Sequence, residues 1–95
     1  MASVIYEGQR LRIDVQFRLQ GVPKDPLIAQ ALIKAPSGTV TTLTYPAVSF
    51  TRKGLGEFEI YWTVNEPGTW FFRAEGSGVV DAVSELPVSV EVSAF

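Results

Sequence analysis

A chain of 95 residues with 46% hydrophobic and 19% charged side chains has the make-up of one folded domain, spanning residues 1–95, rather than a disordered tail. A net charge of −2 and a pI near 5.0 argue against a nucleic-acid grip, which carries a basic excess. With neither cysteine nor histidine, disulfides, thiolate chemistry, zinc–sulfur sites and the commonest general base are all excluded, so no enzymatic activity, cofactor or metal site is expected.

No apolar run approaches the ~20 residues of a membrane-spanning helix, so no membrane association is expected. The opening MASVIYEGQR lacks a basic head followed by an apolar stretch, which sets the expectation of no secretion signal and of folding in the cytoplasm. Residues 3–7 read as a short strand ended by Gly8. Residues 9–20 carry the cleanest strand signal. Leu11, Ile13, Val15, Phe17 and Leu19 alternate with Arg10, Arg12, Asp14, Gln16, Arg18 and Gln20, which predicts one buried and one wet face. Residues 21–26 (GVPKDP) read as a loop, because two prolines and a glycine interrupt a ladder.

Residues 27–35 (LIAQALIKA) have helical propensity, but Pro26 precedes them and Ala35-Pro36-Ser37-Gly38 follows as a turn. A strand with Ala29, Ala31 and Ile33 inward fits nine residues between two turns. Residues 39–45 are rich in β-branched side chains and form the returning strand of a hairpin. Pro46 ends it, and residues 47–55 read as a loop with a short strand around Val48 and Phe50.

The stretch from Gly56 to Gly76 organises the rest, for it holds both tryptophans and three of the six phenylalanines. Phe58, Ile60, Trp62 and Val64 share one parity. After the turn residues Glu66-Pro67-Gly68, Trp70, Phe72 and Ala74 share another. Tyr61, Phe71, Arg73 and the glutamates Glu57, Glu59 and Glu75 point the other way. A tight hairpin would oppose Glu59 to Glu75, so the turn is expected to cross between two sheets instead. Beyond Gly76-Ser77-Gly78, the residues Val80, Ala82, Leu86, Val88, Val90 and Val92 share a parity, and Pro87 places the last strand at an edge or bulge. About seven short strands with turn signals every 8–12 residues predict an all-β fold, an antiparallel immunoglobulin-like β-sandwich. Its expected core is Leu11, Ile13, Val15, Phe17, Phe58, Ile60, Trp62, Trp70, Phe72, Val88 and Val90.

The candidate sites are weighed against plainer readings. Trp62 and Trp70 could form a ligand platform, but their apolar companions on the same parity place them in the core. Arg10, Arg12 and Arg18 could touch phosphate, yet Asp14 interrupts them and a solvated face is the better reading. Glu57 and Glu59 lie on an exposed face, without the burial that tunes a catalytic carboxyl. Asp25 stands beside Lys24 with no calcium-loop pattern around it. Tyr61, Phe71 and the terminal Ser93, Ala94 and Phe95 are the expected protein interface, on one outer face of the two aromatic-rich strands.

In order along the chain stand Tyr6-Glu7-Gly8, Asp25-Pro26, Ala35-Pro36-Ser37-Gly38, Gly56-Glu57-Phe58, Pro67-Gly68-Thr69-Trp70 with Arg73, Glu75-Gly76-Ser77-Gly78 and Val92-Ser93-Ala94-Phe95. Together they resemble a group of small immunoglobulin-like structural proteins of tailed bacteriophages and prophages. Phe58 stands where similar domains often carry tyrosine, so a hydroxyl-mediated corner is lost. The resemblance implies a virion-associated, non-enzymatic decoration protein, made in the host cytoplasm. It would attach in multiple copies to other virion proteins of a head, neck or tail, with no nucleic acid, membrane or small-molecule substrate as partner. Two alternatives stand beside it: a binding module for a cell-surface glycan or protein, and an envelope carrier domain similar to macroglobulin-type or copper-carrier domains. Copper carriers use histidine and methionine ligands, and this chain has no histidine and only Met1.

Overall fold

A computed structural model describes residues 4–78 and 82–92. Among them the chain forms ten strand segments and no helix: β1 (Ile5–Tyr6), β2 (Gln9–Gln16), β3 (Arg18–Leu19), β4 (Val22–Pro23), β5 (Ile28–Lys34), β6 (Val40–Thr44), β7 (Phe50–Gly54), β8 (Glu57–Val64), β9 (Gly68–Ser77) and β10 (Ala82–Glu91). One sheet has the order β1-β10-β9-β5-β6, a second has the order β2-β8-β7, and β3 pairs with β4 alone. Every pairing is antiparallel except the two-residue contact of β1 with β10.

The protein is an all-β antiparallel sandwich because period-two strands each leave one apolar face to cover. Ala29, Ala31 and Ile33 of β5 and Trp70, Phe72 and Ala74 of β9 are buried from one side. Leu11 and Val15 of β2, Phe50 of β7 and Phe58, Ile60 and Val64 of β8 meet them from the other. Phe17, Tyr45 and Phe50 surround the Phe58 ring at centroid distances of 5.5, 5.1 and 5.5 Å. The first two meet it edge-on, the geometry that aromatic quadrupoles favour. No polar or charged residue is buried among those described.

The turn after β8 crosses between the sheets, as the charge argument expects: β8 and β9 belong to different layers. Gly68 takes φ 121°, which glycine tolerates, and the Trp70 Nε1–H donates to the Glu66 carbonyl at 2.9 Å across this turn. Crossing frees Glu59 from Glu75 but sets it opposite Asp14 of β2. Arg12 relieves that pair, with its Nε 3.5 Å from Glu59 and 3.7 Å from Asp14.

Several expectations need correction. The strand over residues 9–20 stops at Gln16. Gln20 (φ 52°) and Gly21 (φ 81°) form a two-residue turn with both φ positive, and the chain doubles back so that Leu19 pairs with Val22. Pro23 is therefore in a ladder rather than a loop, tolerated because its strand is an edge, and Leu19 is exposed rather than inward. In the stretch 47–55 the strand begins at Phe50, which is fully buried, while Val48 is 95% exposed. Ile13, Trp62 and Val88 are half-buried at the margin of the core rather than within it. Leu86 and Val92 have inward parity but are exposed: Leu86 lines an open gap between the sheets, and Val92 follows the last residue of β10. Pro87 behaves as expected, for among the described residues β10 meets β1 only at Val90 and Glu91, and Pro87 lies on the rest of that outer edge. Val80 lies outside the described residues.

Asp25 is not alone. Its carboxylate accepts the Gly56 N–H at 2.7 Å and binds Arg52 through Nε at 3.1 Å and a terminal guanidinium nitrogen at 2.9 Å. The Gly56 hydrogen bond first, and the Arg52 bond second, hold the carboxyl below its ordinary value. A depressed folded-state pKa stabilises the fold above the unfolded value of about 3.9 and is lost as pH falls through the depressed value. Asp25→Ala also leaves the buried Gly56 N–H unpaired, so it should cost ~1–3 kcal/mol at neutral pH. Urea midpoints should show the gap between parent and variant narrowing below about pH 4. A gap that stays constant or widens in acid would contradict this assignment.

Candidate docking surfaces

The crossing turn decides where the outward aromatic residues go. Tyr61 lies on the outer face of the β2-β8-β7 sheet, and Phe71 lies on the outer face of the five-stranded sheet. Expected on one docking face, they are on opposite sides of the sandwich, so no single flat partner contacts both. Ser93, Ala94 and Phe95 fall outside the described residues.

Tyr61 is already engaged. Its hydroxyl donates to Glu59 at 3.1 Å, and the Arg10 guanidinium carbon sits 4.7 Å above the ring centroid. A cation on the ring face and a carboxylate on the hydroxyl leave the side chain half-buried under its own neighbours. Arg12 is held by Asp14 and Glu59, and Arg18 by the Gln16 side chain at 3.0 Å and the Gly21 carbonyl at 3.2 Å. The three arginines are thus dispersed over separate partners rather than gathered on one anion. Glu59 is drawn into this lattice while Glu57 stays exposed, so the two carboxylates do not form a matched pair. Among the described residues no cluster of three or more potential metal ligands occurs.

Phe71 has no such partner among the described residues and is 44% exposed within β9. The register places Pro87 of β10 on one side of it and Lys34 of β5 on the other, and Val40 of β6 lies beyond Lys34. The next row holds Glu85, Arg73, Leu32 and Thr42. Leu32, Lys34, Val40, Phe71, Arg73 and Glu85 line a shallow depression of about 320 Å³. Its polar rim is organised: Arg73 binds Glu75 at 2.7 Å and Glu85 at 2.8 Å, and these carboxylates raise the guanidinium pKa further. Lys34 has no ion-pair partner among the described residues. An aromatic centre, aliphatic flanks and charged edges are the parts of a protein-docking patch. Sequence parity marked Phe71 and Pro87 as outward. It did not associate Leu32 and Val40 with them, because that needs the β5–β9 and β5–β6 registers.

A second opening lies at the side of the sandwich, between the edge strand β2 and the part of β10 that β1 does not reach. Ile13, Val15, Phe72, Ala74 and Leu86 line a gap of about 210 Å³ between the sheets. It exposes part of the core, which accounts for the half-buried Ile13. No family model, curated protein or solved structure matches the chain.

Proposed function

We propose that the domain is a non-enzymatic structural protein that attaches in multiple copies to the surface of a bacteriophage head, neck or tail, docking through the Phe71 face. The resemblance over nearly the whole chain supports the virion setting. The sheet order β10-β9-β5-β6 over β2-β8-β7, with a crossing between β8 and β9, supports the immunoglobulin-like reading. The observation that carries the docking reading is Phe71 itself, a large exposed aromatic ring centred on a sheet face whose other outward groups form a flank or a rim.

The test is co-sedimentation of the folded protein with particles assembled without it. Buried aromatic anchors carry ~2 kcal/mol or more at interfaces, so Phe71→Ala should bind particles roughly 30-fold more weakly. Its unfolding midpoint should stay near that of the parent. Phe71→Ala binding like the parent would remove the docking face, and a folded parent that sediments with no head, neck or tail particle would remove the virion reading.

A further inference from the structure

Among the described residues the two ends of the sandwich differ in charge. At one end the segments 17–27, 52–57 and 76–78 converge: Phe17 N–H donates to Gly56 O at 2.7 Å, Lys24 N–H to Phe17 O at 3.0 Å, and Leu27 N–H to Ser77 O at 2.9 Å. These segments carry Arg18, Lys24, Arg52 and Lys53 against Asp25 and Glu57. Asp25 is ion-paired with Arg52 and also feels the charge of Lys24, while Arg18, Lys24 and Lys53 form no close ion pair among the described residues, which leaves these segments with a net positive charge. Asp81, in the connection from β9 to β10, lies outside them. This basic end also exposes Leu19, Val22, Leu27, Ile28 and Leu55, at 44, 62, 76, 54 and 56%. These five aliphatic side chains give the basic end apolar area that a partner can cover.

At the opposite end converge segments 4–8, 35–39, 65–68 and 91–92. Glu7 N–H donates to Glu91 O at 3.0 Å, Gly8 N–H to Val64 O at 2.7 Å, and the Ser37 hydroxyl to Glu66 Oε2 at 3.3 Å. These segments hold Glu7, Glu66 and Glu91 and no lysine or arginine. Arg10 and Lys34, adjoining these segments in the chain, belong to outer strand faces, with Arg10 over the Tyr61 ring and Lys34 beside Phe71. This acidic end exposes Tyr6 and Val92 at 48 and 65%. Each end therefore offers apolar area, and the described segments of the two ends carry opposite net charge.

We infer that the partner of the basic end is the acidic end of a second copy of this chain. Opposite charge steers the encounter and fixes its orientation, and the aliphatic groups lose water when it closes. Unlike a two-fold contact, such an interface uses different patches on the two copies, so it repeats into a ring or an open stack. The contact uses none of the Phe71 face, and it is read on the free protein, so its failure is separable from failure of particle docking.

Charge reversal tests it. Lys24→Glu with Lys53→Glu makes both ends acidic, and Glu66→Lys with Glu91→Lys makes both ends basic. Sedimentation velocity over a concentration series should show the parent associating at low salt. Association should weaken at about 1 M salt, where screening acts within ~3 Å. Each reversed protein alone should associate at least about tenfold more weakly, and an equimolar mixture should recover the parent's association, because unlike ends are again present. Leu55→Ser, which leaves every charge in place, should also weaken association and guards against a reversal that perturbs folding. A parent that is monomeric throughout, reversed proteins that each associate like the parent, or a mixture that fails to recover would overturn the inference.

Discussion

Replacing Trp70 by alanine should lower the stability of the domain by ~3–5 kcal/mol, the range found when large aromatic groups are removed from cores. That rivals the ~5–15 kcal/mol that holds a small domain folded, so the variant should be close to unfolding at room temperature. Trp70 is 3% exposed, stacks on Phe72 with centroids 6.5 Å apart, and donates its indole N–H to the Glu66 carbonyl. Truncation therefore opens a cavity and strips a donor from the turn that joins the two sheets. Trp62→Ala should cost distinctly less, since that ring is half-buried at the margin of the core. Urea midpoints of the two variants measure the difference. A Trp62→Ala shift as large as that of Trp70→Ala would contradict the placement of these side chains.

The second large effect is expected at Gly56, where the β7–β8 turn touches the β2–β5 connection. Gly56 has φ 69°, and a Cβ there would lie 2.5 Å from the Phe17 carbonyl oxygen and 2.7 Å from the Lys24 backbone nitrogen. These are backbone atoms within the hydrogen-bonded junction of Phe17, Lys24 and Gly56, so they cannot swing aside as a flexible side chain would. Left-handed backbone costs alanine ~1–2 kcal/mol, and forced displacement of packed neighbours costs a further ~1–3 kcal/mol. Gly56→Ala should thus destabilise by about 2–5 kcal/mol. Gly21→Ala is the control, since φ is 81° but nothing lies within 4 Å of the added carbon. Only the conformational part of the cost should appear there. Equal unfolding midpoints for the two variants would show that the close approach at Gly56 carries no weight.

The sequence by itself determined which side of each main strand faces inward. Alternation is a local property: neighbouring residues in extended chain point to opposite faces whatever the rest of the molecule does. Ala29, Ala31 and Ile33, Phe58, Ile60 and Val64, and Trp70, Phe72 and Ala74 were therefore legible as core. The crossing after Val64 was legible too, because like charges at Glu59 and Glu75 disfavour a hairpin. What only the tertiary structure decided was how well each inward face is covered. Leu86 and Ala74 share an inward direction, yet Leu86 is exposed because it lines the open gap between the sheets rather than packing closely against the narrower one. Parity likewise gave Tyr61 and Phe71 the same label, outward, while layer membership set them on opposite surfaces and put Arg10 and Glu59 around Tyr61 alone. Asp25 and Gly56 are 31 residues apart, and no local pattern announces a hydrogen bond across that distance. The opposite charge of the described segments at the two ends has the same origin: residues scattered along the chain are gathered only when antiparallel strands bring alternate turns to the same end.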